Sequence, residues 1–220
     1  MTGSRTEGVR RLPHERLLLL LLVVGLLAWS AIHPADRFTW WLEVSWVLAG
    51  VPLAVATHRA FPLTPTLGRL LAFFACILIV RGAYTYECVP VGDWCREWTG
   101  GRNCYDRFGH FFQGVIPAVL ARELLRRTSP MQPGRWLGVV CIWGAVWFSA
   151  TFELIEMTAA LVWGNGADAF LGTQGDVWDA QKDILAAFLG SSAAILLLSG
   201  RHERQLRAMR LVPSGMPAPA

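Results

Sequence analysis

The sequence predicts an all-α protein: a polytopic membrane bundle of about six transmembrane helices with both termini in the cytoplasm. Three observations predict it. The composition is 54% hydrophobic and only 16% charged, where a soluble domain carries about 25% charged residues. Six separate runs are apolar over the length of a membrane helix. The basic residues gather on alternate connections between those runs. Eleven Trp residues strengthen the reading, because Trp favours membrane interfaces.

The elements follow in order. Residues 1–16 form a basic cytoplasmic tail, and residues 17–200 form the membrane domain. Its helices are expected over residues 17–32, 40–57, 67–84, 108–125, 136–163 and 184–199, with a second cytoplasmic tail over 201–220. A spanning helix needs about 20 residues, so the first and last runs need flanking residues to cross. The fifth is long and must tilt or protrude. The leucine run behind the N-terminal arginines has the look of a signal peptide. However, Ala-Trp-Ser-Ala-Ile-His-Pro after it lacks a small-residue cleavage site, so it is read as a retained helix.

Orientation comes from charge. Fourteen of the twenty basic residues lie on one side of the six-helix arrangement: Arg5, Arg10, Arg11, Arg16, Arg59, Arg69, Arg122, Arg126, Arg127, Arg135, Arg201, Arg204, Arg207 and Arg210. The positive-inside rule places that side in the cytoplasm. Anionic lipid head groups are sufficient reason for this basic charge, so membrane lipids are the expected partners and nucleic acid is excluded.

Seven ionisable residues stand out against the apolar background: Asp106 and His110, Glu153 and Glu156, and Asp176, Asp179 and Asp183. A polar residue kept near the membrane core is a functional-site hypothesis by default. The topology gives them a common depth. Asp106 and His110 enter the fourth helix from outside, and Asp179 and Asp183 begin the sixth. Glu153 lies roughly 25 Å along the outward-running fifth helix. Spacing gives each pair a shared face: i, i+4 for Asp106 with His110 and for Asp179 with Asp183, and i, i+3 for Glu153 with Glu156. Gly114, on the Asp106 and His110 face, would let another helix approach closely.

One imidazole among several carboxylates suits a divalent cation such as Zn, Mn, Mg or Ca. His110, Glu153, Glu156 and Asp183 are the candidate metal ligands. With Asp106 they are also the candidate catalytic residues, a spare carboxylate acting as general base on a bound water. Arg81, Arg107, Gln113, Gln174, Asp176 and Asp179 are candidate substrate-binding residues. The alternative is a structural ion-pair network in which Arg81, Arg107 or Lys182 partners Glu153 and Glu156 across the bundle. Acids in a first helical turn also complement the helix dipole. The remaining histidines, at 14, 33, 58 and 202, fall in expected tails or short connections. Cys88, Cys95 and Cys104 share the outer third connection, where one disulfide is expected, but spacing does not choose the pair.

At these residues the chain resembles a known family. The segments Tyr84-Thr-Tyr-Glu-x-Val-Pro, Asn103-x-Tyr-Asp-Arg-Phe-Gly-His-Phe-Phe-Gln-Gly-x-x-Pro-Ala, Ala121-Arg-Glu and Gly164-x-Gly-Ala-Asp-x-Phe-Leu-Gly-Thr-Gln-Gly-Asp-x-Trp-Asp-x-Gln-x-Asp are similar to the YjdF-type bacterial inner-membrane family. The resemblance covers about residues 80–200 and implies topology and a bacterial inner-membrane location rather than an activity. The three outer-loop cysteines depart from the family pattern. A fainter similarity to VanZ-like membrane proteins runs through Asp106-Arg-x-x-His110-Phe, Glu153-x-x-Glu156 and Asp183 to Gly190. It implies that these three segments act as a unit; Glu156 and Ala187 depart from it. The expected function is a site at the outer membrane boundary that binds a small-molecule or lipid ligand, or acts on a lipid or an envelope precursor. An ion- or proton-coupled transporter and a non-catalytic scaffold are the alternatives.

Overall fold

The computed structural model describes residues 12–163 and 174–212, and all regular structure among them is helical. The α-helices are α1 (Leu12–Ser30), α2 (Arg37–Thr57), α3 (Pro65–Tyr84), α4 (Tyr105–Thr128), α5 (Arg135–Trp163) and α6 (Asp179–Ala208). Two short 3-10 turns, Tyr86–Cys88 and Pro90–Cys95, stand between α3 and α4. Each expected helix thus has a counterpart. The expected tails are shorter than the sequence suggested, because α1 begins at Leu12 and α6 runs on to Ala208. The expected arginines at 5, 10 and 11, and the Gly164 to Thr173 part of the long motif with Asp168 and Gly172, lie outside the described residues.

Among the described residues, four helices are long and apolar enough to cross a membrane: α2, α3, α5 over Arg135–Val162, and α6. The fourth expected span, α4, is 24 residues long, but it carries Asp106, Arg107, His110, Gln113, Arg122, Glu123, Arg126 and Arg127. These polar side chains lower its hydropathy below that of its neighbours. Most are buried, so α4 is sheltered by protein rather than by lipid. The outward faces are the reverse: Trp147, Leu161, Leu196 and Leu197 are all exposed. Apolar side chains on the outside and charged ones within suit a lipid surround.

The chain divides into two compact units, Met1–Ala83 and Tyr84–Ala220. In the first, Val23, Val47, Ala75, Leu78 and Ile79 form the core. The Asp36 carboxylate caps α2 by accepting from the Thr39 N–H at 2.6 Å. The Trp40 indole N–H donates to the Ser30 hydroxyl at 3.0 Å, which ties the end of α1 to α2. A buried ion pair joins α2 to α3, with Arg81 Nε 2.9 Å from Glu43 Oε1. Arg81, expected as a substrate ligand or as a partner of the fifth helix, therefore has a counter-charge in its own unit.

The second unit holds α4, α5 and α6. Helices α4 and α6 run parallel. Arg107 at the start of α4 meets Asp179 at the start of α6, while Arg122 and Arg126 near the end of α4 meet Glu203 near the end of α6. Helix α5 is antiparallel to both, since Glu153 late in α5 stands 3.5 Å from His110 early in α4. The crossing of α4 and α6 is closed by two glycines. A Cβ on Gly114 would stand 2.0 Å from the carbonyl oxygen of Ala187, and one on Gly190 1.9 Å from that of Phe111. Small residues let membrane helices reach this backbone contact.

Beyond the crossing lies a second buried polar cluster. His202 is fully buried, with Nε2 2.9 Å from Glu123 and Nδ1 3.1 Å from the Arg122 guanidinium. Arginine only donates, so Nδ1 accepts, and the proton sits on Nε2, which donates to Glu123. Glu203 accepts from Arg122 at 2.8 Å and Arg126 at 2.9 Å. The sequence placed His202 in a tail. It lies instead in α6, because the helix continues past its apolar run wherever its polar groups find partners on α4.

The glycine crossing yields a stability prediction. Gly190→Ala puts a methyl group into backbone rather than into a flexible side chain. It should cost about 1–3 kcal/mol or more by overpacking, read as a lowered midpoint of thermal unfolding in detergent micelles. Gly144→Ala, mid-helix where a Cβ meets nothing within 4 Å, should hold or raise the midpoint, since Ala favours the helix over Gly.

Candidate functional site

The loop before α4 prepares the site. Cys95 and Cys104 form a disulfide, and Cys88 is a free, exposed thiol; this resolves the pairing that spacing left open. Inside the loop the buried Asn103 amide donates to the Val89 carbonyl at 2.9 Å and to Asp93 at 2.9 Å. Its own backbone N–H donates to the Gln174 side-chain oxygen at 2.8 Å, and the Gln174 amide returns a bond to the Asn103 carbonyl at 3.1 Å. Gln174, expected to bind substrate, therefore staples the turn before α6 to the loop before α4. Nothing in residue type marked Asn103 in advance; only its place inside the long motif did.

Next comes a layer of ion pairs. Arg102, just before α4, reaches Asp179 at 2.5 Å and Asp106 at 3.3 Å. Arg107 reaches Asp179 at 2.7 Å and Asp176 at 3.2 Å, and it pairs with Asp183. Lys182 holds Asp176 at 2.7 Å. Asp176 and Asp179 thus serve as counter-charges that fasten α6 to α4. Arg107 and Lys182, expected opposite Glu153 and Glu156, meet aspartates in this layer, together with Arg102.

Deeper in the unit is the imidazole of His110, 1% exposed. Its two ring nitrogens face different carboxylates: Nε2 is 3.5 Å from Asp106, and Nδ1 is 3.5 Å from Glu153. Ligand-type atoms of Asp106, His110 and Asp183 lie within 4.8 Å of one another, and so do those of His110, Glu153 and Glu156. A cation with bonds of about 2.0–2.4 Å holds its ligand atoms roughly 3–5 Å apart, so either trio matches that spacing. Phe152 sets its ring against the imidazole at 6.2 Å, edge to face, and limits how it can turn. Gln113 is buried one helical turn further along α4, with no hydrogen-bond partner for its carbonyl oxygen among the described residues. Of the expected residues, Asp106, His110, Glu153, Glu156 and Asp183 come together; Arg107, Asp176 and Asp179 overlie them; and Arg81 belongs to the first unit.

Comparison with known proteins bears on the whole unit. The chain matches the family described as "Predicted membrane protein (DUF2238)" over residues 15–204. It is 46% identical over 193 residues to the inner membrane protein YjdF of Escherichia coli (strain K12), an alignment that covers 87% of this chain and 92% of that protein. No solved structure matches it.

The exposed edge of the ion-pair layer titrates. Lys182 first, and then the Trp178 backbone N–H, hold the Asp176 carboxyl down at about 2. A depressed folded value means that this contribution is complete above the ordinary 3.8 and is lost as the pH falls through about 2. Amide-exchange protection at Trp178 should therefore drop on acidification through that window. In Asp176→Asn this acid-dependent step should be absent.

Proposed function

Since the chain belongs to the DUF2238 family of predicted membrane proteins and is a multi-pass helical inner-membrane protein like its YjdF relative, we propose that it binds a divalent cation at His110, at the outer membrane boundary, and acts there on a lipid or envelope precursor. The observation that carries this reading is the pair of ligand trios sharing one buried imidazole. Asp106 and Asp183 already have Arg102 and Arg107 against them. The cation is placed with the trio of His110, Glu153 and Glu156, on the Nδ1 side that faces Glu153. Nε2 then carries the proton and faces Asp106. A carboxylate on the outer nitrogen of a metal-bound histidine fixes its tautomer and raises its basicity. Asp183, the remaining carboxylate near His110, keeps Arg107 as its counter-charge.

Elemental analysis of the purified protein tests this. Wild type should hold a stoichiometric divalent metal, while His110→Ala and Glu153→Gln should lose it and remain folded. A metal-free wild type, prepared without chelator, would end the proposal. Retention of metal by both variants would move the site elsewhere.

Transport is a second reading, and the His202 cluster favours it by giving α4 and α6 a polar, histidine-containing site at each end. His110 and Glu123 stand thirteen residues apart, which is about 20 Å along the helix. The backbone contact at Gly114 and Gly190 lies between them and closes that seam. Proteoliposomes should accordingly show no protein-dependent proton or divalent-cation flux; a flux abolished by His110→Ala would make transport the function.

A further inference from the structure

A polar cleft of about 400 Å³ opens above the ion-pair layer, between the loop before α4 and the turn before α6. Its walls are Thr99, Gly101, Arg102, Gln174, Asp176 and Lys182, with other glycine backbone among them. Ligand sites typically span about 300–1,000 Å³, so the volume fits a head group rather than an ion. Arg102 is the cleft's inner wall, and its opposite bonds run to Asp106 and Asp179. The cleft is thus one side chain away from the His110 cluster. Lys182 is half exposed and is held by Asp176 at 2.7 Å. An entering anion can take Lys182 while Asp176 keeps Arg107 at 3.2 Å.

Large apolar side chains adjoin the polar walls in sequence, and we term them the rim: Trp98, 85% exposed, precedes Thr99, and Val177, 86% exposed, follows Asp176. Trp178, next to Val177, and Trp94, one helical turn before Trp98, are exposed as well. These side chains are carried on rigid supports. The disulfide Cys95–Cys104, the Trp98 N–H to Cys95 carbonyl bond at 3.0 Å and the Arg96 to Gly101 carbonyl bond at 2.9 Å brace the first segment. The Asn103–Gln174 bonds brace the second against it. Held open in water, such large apolar surface is costly. Tryptophan at the head-group level of a bilayer has its ring in an apolar layer and its N–H among polar groups.

We propose that this rim sits in the head-group layer and that the cleft binds the anionic head group of a membrane phospholipid, with Lys182 as the contact to its phosphate. The proposal rests on the membrane-boundary placement given under the proposed function, and it is independent of the cation. It specifies how a lipid reaches the His110 cluster: laterally, from the bilayer, with Arg102 between the bound phosphate and the buried carboxylates. Thr99 and Gln174 are the polar neutral groups available to head-group hydroxyls.

The test uses full-length, delipidated protein stripped of metal with chelator, so that its outcome does not depend on the cation site. Native mass spectrometry follows titration with phosphatidylglycerol, phosphatidylcholine or inorganic phosphate. Wild type should bind phosphatidylglycerol in preference to phosphatidylcholine. Lys182→Gln should weaken the phosphatidylglycerol step by about five-fold, the size of one exposed charge contact. It should affect phosphatidylcholine, whose choline cation offsets its phosphate, less, so that the preference narrows. Equal phosphatidylglycerol binding by wild type and Lys182→Gln overturns the cleft. Displacement of phosphatidylglycerol by inorganic phosphate alone overturns the lipid as its source. A nitroxide at Val177→Cys, in a Cys88→Ser background in nanodiscs, reads the rim separately. Relaxation by oxygen should exceed relaxation by a water-soluble nickel chelate, and the reverse order overturns the membrane seating.

Discussion

The second unit depends on one contact, the parallel crossing of α4 and α6 at Gly114 and Gly190. There the two backbones touch through carbonyl oxygens that would stand about 2 Å from any added Cβ. With the axes this close, residues on either side of the crossing can meet with short side chains. Aspartates 179 and 183 reach Arg107 at one end, and His202 reaches Glu123 at the other. Helix α5 then needs only to lie antiparallel against the pair to bring Glu153 within 3.5 Å of His110.

The charges of this protein are arranged by how they are neutralised. Near the loops, Arg102, Arg107 and Lys182 meet aspartates in a layer that fastens α6 to α4. At the far end, Arg122 and Arg126 share Glu203, and Arg122 fixes the tautomer of His202. In the first unit, Arg81 meets Glu43 across α2 and α3. A buried ion pair contributes little net stability, yet removing one partner is costly. Such pairs therefore specify which helix faces must meet in a protein whose helices turn apolar side chains such as Trp147, Leu161 and Leu196 outward. His110 differs in kind, because carboxylates from two helices face opposite edges of one ring.

The loop before α4 adds the constraint that the helices alone do not supply. A disulfide, the Asn103 amide and the Gln174 staple hold it to the turn before α6. Its exposed tryptophans are thereby kept beside a polar cleft rather than folded over it. The same bracing sets Arg102 where it separates that cleft from Asp106.

Helix positions were legible in the sequence, since an apolar run of spanning length has few other uses and each expected run has a helix over it. That Asp106, His110, Glu153, Glu156 and Asp183 share one level of their helices was legible too, because helical rise and turn spacing are fixed by backbone geometry. What each charge does was not. Arg81 meets Glu43 and Gln174 meets Asn103, partners in sequence-distant segments that spacing along one helix cannot name. His202 was read as a tail residue because its neighbours are polar; polar neighbours continue a helix when a facing helix neutralises them, which a single segment does not reveal. By itself, then, the sequence determined the helices, their membrane class and which residues are too polar to face lipid. The tertiary structure alone decided which of those residues neutralise one another and which converge on His110, because that choice is made by the distance between helix axes at two glycines.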